Sequence, residues 1–124
     1  MNIDARFASG VAAEQLAANY LQVRGLKIVG RNLRCKLGEL DLVCLDEGVL
    51  AIVEVRLRRS SQFGGALASV TWNKQRKVMR AAQFFLRREP RWRALAIRFD
   101  VLAIEGRPDG VHRMHWVKDA FRAA

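Results

Sequence analysis

The 124-residue sequence is poor in cysteine and proline, and it has no apolar run long enough to cross a membrane. Its two cysteines, Cys35 and Cys44, can form one disulfide at most, which predicts a reduced cytoplasmic protein with two free thiols. A bilayer-spanning helix needs about 20 apolar residues, so none is expected. The first residues lack the basic and apolar regions of a signal peptide, and no repeat or linker divides the chain.

Acidic residues are also scarce, because twelve Asp plus Glu stand against twenty-two Lys plus Arg, for a formal net charge of +10. Hydrophobic residues make up 51% of the chain, which is a globular composition and argues against a disordered tail. This length predicts one domain, residues 1–124, whose core needs no disulfide or metal. The positive surplus indicates a polyanionic partner or an anionic membrane surface.

Hydrophobic periodicity and turn residues predict the order α-β-β-β-α-β-β, an α/β fold with a mixed central sheet flanked by helices. Helices are predicted at residues 9–24 and 72–88, and strands at 26–29, 40–45, 49–57, 95–104 and 111–117. The connections are predicted to be a basic segment at 30–36, a loop at 58–70 and a turn at 106–110. The strand at 49–57 is apolar on both faces, which is typical of a central strand covered on both sides.

Ionisable residues interrupt this most hydrophobic part of the chain at Asp41, Glu54 and Arg56. Charged groups in a strand buried on both faces are costly unless they are paired or hold a metal. If Glu47 and Gly48 form a two-residue turn, the register puts Asp41 opposite Glu54, with Cβ atoms about 5 Å apart. Two carboxylates so close repel each other unless a cation or a proton lies between them, so the spacing predicts an Mg²⁺ site.

Arg56 follows Glu54 by two residues and therefore points to the same face of the strand. Its guanidinium would meet a phosphate held by the metal, which is the arrangement needed for metal-assisted phosphodiester hydrolysis. The structural alternative is an ion network in which Arg56 neutralises both carboxylates. Zinc is not expected, because His112 and His115 and the two cysteines lack the spacing of a zinc site.

An ordered set of short motifs extends along nearly the whole chain. These motifs are Glu14, Arg31-Asn32, Gly38-Glu39-Leu40-Asp41-Leu42, Glu54-Val55-Arg56, Phe63-Gly64, Lys74 and Arg98-Phe99-Asp100-Val101. The set resembles the bacterial YraN family of Holliday-junction-resolvase-like proteins, within the restriction-endonuclease-like superfamily. Each motif alone is common by chance, but the ordered set is specific.

The resemblance implies a restriction-endonuclease-like core and an Mg²⁺- or Mn²⁺-dependent endonuclease acting on DNA, including branched or otherwise structured DNA. It makes Asp41 and Glu54 the metal ligands, brings Glu14 to the same site from the first helix, and lets Lys74 touch phosphate or water. The family has lysine where this chain has Arg56, and arginine stays protonated, so it can clamp a phosphate but cannot act as a general base. An active nuclease and a nucleic-acid-binding protein with a degenerate site therefore both remain open.

The basic residues concentrate around this site, since residues 56–93 contain eleven Lys or Arg and one acid, Glu89. Those predicted to contact the phosphate backbone are Arg58, Arg59, Arg76, Lys77 and Arg80. Such a field attracts nucleic acid by counterion release without reading its sequence. A partner-binding or membrane-surface role ranks last, because the basic segment lacks a helix with a strongly apolar face free of the core. Many resolvase-like nucleases cut two strands as pairs, so a homodimer is also open.

Overall fold

The computed structural model describes residues 10–59, 63–106 and 111–122. In chain order the elements are α1 (Gly10–Val23), β1 (Lys27–Cys35), β2 (Gly38–Asp46), β3 (Val49–Arg59), α2 (Phe63–Ala68), α3 (Trp72–Arg88), α4 (Pro90–Arg93), β4 (Ala96–Gly106) and β5 (His112–Phe121). The predicted order α-β-β-β-α-β-β is confirmed, with α2 and α4 as short additions. No helix within the described ranges is both long and apolar enough to cross a membrane.

Five strands form one mixed sheet in the spatial order β1-β2-β3-β4-β5. The first three strands are antiparallel neighbours, β4 lies parallel to β3, and β5 returns antiparallel to β4. A parallel pair needs a crossover connection, which here contains α2, α3 and α4. The central strand is β3, as its two apolar faces predict. This mixed α/β arrangement is compatible with a nuclease-like core.

The predicted two-residue turn between β2 and β3 is present at Glu47 and Gly48. Both residues have positive φ angles, 50° and 83°, and the strands pair directly on either side of them. Turns of this kind match the right-handed twist of a hairpin. The resulting register places Leu42 opposite Val53, which brings the next residues of the two strands to the place predicted for the acidic pair.

Helices cover both faces of the sheet. The core between α1 and the sheet includes Ala13, Ala17, Leu21, Leu42, Val53 and Leu102. The core between α3 and the sheet includes Leu50, Ile52, Val78, Ala81, Ala82 and Val101. Side chains alternate along β3, so Glu54 shares the α3 side of the sheet with Ile52. Arg56, two residues further on, extends along that same side.

The helix α3 begins and ends where the sequence predicts. Thr71 caps its first turn, because the Thr71 hydroxyl accepts a hydrogen bond from the backbone N–H of Lys74 at 3.2 Å. At the other end, Glu89 leaves the helical conformation and Pro90 begins α4. A capped start and a proline just beyond the end fix the length of the helix that covers the site.

The prediction of a basic connection at residues 30–36 is wrong, because β1 continues to Cys35 as an edge strand. A bulge between Ile28 and Gly30 interrupts its pairing with β2 and hides its alternation. The charged residues that suggested a loop, Arg31 and Arg34, are exposed on this strand. Exposed charge is a common means of keeping an edge strand from pairing with another chain.

The loop predicted at residues 58–70 is also partly wrong. Its first two residues belong to β3, and α2 occupies Phe63–Ala68. The last strand, β5, extends to Phe121 rather than ending at 117. Its pairing with β4 shifts register between Phe99 and Val101. Gly106, the first residue of the turn predicted at 106–110, ends β4. Residues 107–110 lie outside the described ranges.

Candidate functional site

The carboxylates of Asp41 and Glu54 accept backbone hydrogen bonds at the point where β2 and β3 stop pairing. The last residues of the regular ladder are Leu42 and Val53. One step further, the N–H of Asp41 donates to Glu54 Oε2 at 3.4 Å, and the N–H of Val55 donates to Asp41 Oδ2 at 2.9 Å. The two side chains therefore lie beside each other, in the register that the hairpin turn predicts.

Both carboxylates are poorly hydrated, because Glu54 is completely buried and Asp41 is only 8% exposed. Burial raises the pKa of Glu54 to about 7, and the neighbouring charge of Asp41 adds to this rise. Burial also raises the pKa of Asp41, while a backbone hydrogen bond and the charges of Arg56 and Lys74 oppose the rise. Two buried carboxylates in this state are stabilised by a cation between them.

The guanidinium of Arg56 faces both carboxylates without forming a hydrogen bond to either. Its Nη2 lies 3.7 Å from Glu54 Oε1, and its Nη1 lies 4.0 Å from Asp41 Oδ2. Both distances exceed the upper limit of about 3.2 Å for a good N–H···O bond. Nη1 instead donates to the backbone carbonyl of Val55 at 3.1 Å. Arg56 thus forms an ion pair with each carboxylate but donates no hydrogen bond to the oxygens of either one.

One oxygen of Glu54 has no hydrogen-bond partner among the described residues. This atom, Oε1, is buried away from solvent. Asp100 on β4 is equally buried but accepts hydrogen bonds from Arg98 Nε at 3.0 Å, Trp116 Nε1 at 3.0 Å and the N–H of Asp119 at 2.9 Å. A buried oxygen without a partner is costly, so native structures usually provide one. Asp100 is therefore a structural carboxylate, whereas Glu54 Oε1 has no such partner among the described residues.

The donor atoms of this pair suit a small, hard cation. Mg²⁺ prefers oxygen ligands and is commonly held by one or two carboxylates, with water and substrate phosphate completing its shell. In the part of the chain that the structure describes, no three His, Cys, Asp or Glu side chains group closely enough to hold a metal by themselves. A metal ion held by Asp41 and Glu54 would therefore have two carboxylate ligands and would need water or substrate to complete its shell.

Glu14 lies on α1 and is 8% exposed. Among the described residues it does not group with Asp41 and Glu54 as a third possible metal ligand. Burial raises the pKa of Glu14, a hydrogen bond with the side chain of Asn32 lowers it, and the charge of Asp41 raises it again. Glu14 is thus within electrostatic reach of Asp41. The role that the resemblance gives Glu14 stays a prediction.

Asn32 is a residue of this region that the sequence analysis left without a role. Its two neighbours on β1 pair with Leu42 and Leu40 of β2, which leaves Asn32 beside Asp41 on the side away from Glu54. Its φ angle is 50°, a left-handed conformation that asparagine tolerates better than most residues. The Arg-Asn motif pointed to this position, but periodicity could not reveal a kink within a strand.

Lys74 of α3 is close enough to the acidic pair for its charge to lower the pKa of both Asp41 and Glu54. Further along α3, Arg76 stacks over the ring of Trp72 at 4.7 Å. The remaining residues predicted to bind phosphate are partly or fully exposed: Arg58, Lys77 and Arg80. Arg59 ends β3, and its side chain lies outside the described part of the chain.

One family model and two relatives show which family this chain is similar to. Residues 13–104 match the sequence model of "Uncharacterised protein family UPF0102". A UPF0102 protein of Pseudomonas syringae pv. syringae (strain B728a) is 46% identical over 121 residues, covering 98% of both chains. A UPF0102 protein of Pseudomonas putida (strain GB-1) is 47% identical over 113 residues, covering 91% of this chain and 92% of the relative. The YraN-like resemblance is confirmed, and the matched range includes Glu14, Asp41, Glu54 and Lys74.

Proposed function

This chain belongs to the UPF0102 family, and we propose that it is an Mg²⁺- or Mn²⁺-dependent endonuclease acting on DNA. The observation that carries the proposal is the buried pair of Asp41 and Glu54, in which one carboxylate oxygen has no hydrogen-bond partner among the residues that the structure describes. Two cationic side chains, Arg56 and Lys74, act on the same pair. Carboxylates for a metal and cations for a phosphate are the components of metal-assisted phosphodiester hydrolysis.

In this proposal the acidic pair holds the metal, and the two basic residues hold the phosphodiester. When bound, the ion would lower the pKa of an attacking water and offset charge on the phosphate. Arg56 stays protonated, so it binds a phosphate oxygen and takes no proton from the water. Lys74 lies in the first turn of α3, where the helix dipole adds to its attraction for an anion.

Charge favours nucleic acid as the substrate class. The chain carries a net charge of +10, and eleven of its twenty-two Lys and Arg residues lie between residues 56 and 93. A polyanionic backbone is attracted to such a surface whatever its base sequence. Preference for branched or structured DNA rests on the family resemblance.

The nuclease proposal predicts nicking of supercoiled plasmid that requires Mg²⁺ or Mn²⁺. We expect Asp41→Asn and Glu54→Gln to reduce the nicking rate by about 100-fold or more, because each removes a charge that holds the metal and keeps the side-chain size. The matched control is Glu89→Gln, which removes a carboxylate paired with Arg91 at 3.0 Å on the surface. The control should cleave at the wild-type rate.

Two outcomes would count against this assignment. One is wild-type protein that leaves plasmid, flapped and four-way-branched DNA intact with both metals across a range of pH. The other is nicking that survives in the Asp41→Asn and Glu54→Gln proteins, which would indicate a contaminating nuclease. Calorimetric titration of Mn²⁺ into wild type and both variants adds a readout that does not depend on cleavage.

DNA binding without cleavage is the second candidate, and the identity of Arg56 favours it. A protein of this kind would bind DNA in a salt-sensitive manner, unchanged by EDTA, and would cut nothing. Arg56→Lys distinguishes the candidates, because it restores the residue of the family pattern and should bring cleavage to a degenerate site. Arg58→Lys is the control, since this arginine extends from the same strand two residues further on. An active wild-type enzyme excludes the second candidate directly.

A further inference from the structure

A groove of about 610 Å³ lies between the turn that joins β1 to β2 and the C-terminal half of α3. Its walls contain Arg34, Lys36, Leu37, Phe84, Phe85 and Arg88. The volume falls within the range of about 300–1,000 Å³ that is usual for small-molecule sites. Neither the acidic pair nor its two cations line this groove, so it is separate from the candidate metal site.

The groove presents flat and apolar surfaces to its interior. The rings of Phe84 and Phe85 meet edge to face, with centroids 5.2 Å apart. The guanidinium of Arg88 lies over the ring of Phe84 at 4.4 Å. On the turn, Leu37 is 47% exposed and adds an apolar surface to the wall of the groove. Such walls suit a planar, aromatic group.

The rim of the groove is basic. Arg34, Lys36 and Arg88 are all exposed, and Glu39 pairs with Arg34 at 3.2 Å. An aromatic group that is accepted here would therefore carry negative charge on its outer part. A nucleotide has this chemistry, because its base is planar and apolar on both faces while its phosphate is anionic.

The groove also continues a stripe of basic residues on α3. Lys77, Arg80, Phe84 and Arg88 recur at spacings of three and four, so they share one side of the helix. Residues 74 and 84 are separated by about 15 Å along the helix axis, or roughly four nucleotides of a stacked strand. A strand held at Lys74 could follow this stripe to the groove.

We infer that the groove binds one unpaired nucleotide of a nucleic-acid strand, with its base against Phe84 and Leu37 and its phosphates at Lys36 and Arg88. This inference rests on the proposed function for the identity of the ligand, and it adds a preference for strands with unpaired bases near the cut. A base in an intact duplex is stacked on its neighbours and hydrogen-bonded, so it could not enter. The site would thus select single-stranded or branched regions.

Binding in EDTA tests this inference without requiring cleavage. The probes are a fluorescent thymidine oligonucleotide and an abasic strand of the same length and charge, measured by anisotropy. Base stacking on an aromatic ring predicts roughly fivefold or tighter binding of the thymidine strand. Phe84→Leu keeps apolar volume and should bring the ratio of the two affinities close to one. Tyr20→Leu is the control, since it removes a ring stacked with Arg24 at 3.4 Å on the other face of the sheet.

Cysteine labelling supplies a second measurement. Cys35 lines the groove and is half-exposed, whereas Cys44 is buried and burial raises its pKa to about 12. Maleimide should therefore modify Cys35 first, and the thymidine strand should slow this labelling several-fold more than the abasic strand does.

Two results would overturn the groove assignment and leave the nuclease proposal standing. One is equal binding of both strands to wild type. The other is a Phe84→Leu protein that folds normally and still prefers the thymidine strand. Protection of Cys35 by an acidic peptide as strong as that by the thymidine strand would also overturn it, in favour of a protein partner. A base-dependent affinity that Phe84→Leu abolishes would support the groove even if the protein never nicks DNA. The two proposals therefore fail separately.

Discussion

The burial of Glu54 lowers the stability of the fold, because its carboxyl is only partly hydrogen-bonded. Its carboxyl is completely buried, and its Oε1 has no hydrogen-bond partner in the described part of the chain. The nearest guanidinium atom, Nη2 of Arg56, remains 3.7 Å away. A buried polar group that is left unsatisfied in this way lowers stability and is often found where a protein binds something.

The pH dependence of stability should reveal this carboxyl. A carboxyl whose pKa rises on folding, here from 4.5 to about 7 for Glu54, stabilises the fold fully below pH 4.5, and this contribution is lost as the pH rises through about 7. Without divalent ions, the free energy of unfolding of wild type should therefore fall by up to roughly 3 kcal/mol between pH 4.5 and 8. The Glu54→Gln protein should not show this fall.

Thermal unfolding of both proteins in EDTA measures this difference, and the curves of Tm against pH should diverge above pH 5. Glu89→Gln, which alters an exposed carboxylate, should follow the wild-type curve. Parallel curves for wild type and Glu54→Gln would mean that the Glu54 carboxyl titrates as it does in the unfolded chain.

At the scale of elements, the sequence predicts best where a local signal and the tertiary fold agree. The two apolar faces of β3 predict a central strand, and the Glu47-Gly48 turn fixes the register that places Asp41 beside Glu54. The edge strand β1 was predicted only over its first residues, at 26–29, because charged residues and a bulge obscure the alternation of the rest. The short helix α2 was missed because six residues that include two glycines have little intrinsic helicity and depend on packing.

Gly38 shows how closely α3 approaches the strand that carries Asp41. A Cβ atom at this position would lie 3.0 Å from the backbone carbonyl oxygen of Lys77. Because that oxygen is part of the helix backbone, it cannot move as a side chain could. We expect Gly38→Ala to cost about 1–3 kcal/mol and to lower Tm by roughly 3–9 °C.

Gly30→Ala is the control, because its nearest contact would be Cδ1 of the Leu33 side chain at 3.1 Å, an atom that can rotate away. Calorimetric unfolding of the two variants measures the comparison, and Gly38→Ala should be the less stable. Equal stability would mean that α3 can shift away from the start of β2 at little cost.

At the scale of the whole molecule, charge is divided between two ends of the sheet. Near the β2–β3 turn, Asp46 and Asp100 are matched by Arg98, whose Nη2 lies 2.8 Å from Asp46 and whose Nε lies 3.0 Å from Asp100. Asp46 and Asp41 are five residues apart on β2, or about 16 Å. Acidic residues at this end are thus neutralised internally, whereas Lys77 and Arg80 of α3 are exposed to solvent.

The sequence revealed the core of the candidate site but not its surroundings. Asp41, Glu54 and Arg56 could be identified because charge in an apolar hairpin is conspicuous, and Lys74 through the family pattern. The place of Asn32 depends on a left-handed residue within β1, and the groove beside Phe84 depends on how the β1–β2 turn packs against α3. Contacts between elements distant in sequence leave no periodic signal.

The basic residues at the end of β3 and on α3 should determine how salt affects DNA binding. If Arg58, Arg59, Arg76, Lys77 and Arg80 each neutralise one phosphate, log K should fall with log salt at a slope of about −4.5. Lys77→Gln should reduce that slope by about 1, with a similar loss of affinity for every duplex sequence. Anisotropy titrations in EDTA over a range of salt concentrations measure both quantities.

Lys27→Gln provides the comparison for this prediction. Lys27 is exposed at the start of β1 and pairs with Leu45, near the β2–β3 turn and away from Asp41. Its loss lowers the net charge by the same amount, so an effect of overall charge alone would change both slopes equally. A slope that falls only in Lys77→Gln would mean that α3 contacts the phosphate backbone directly, on the side of the sheet where Glu54 and Asp41 meet.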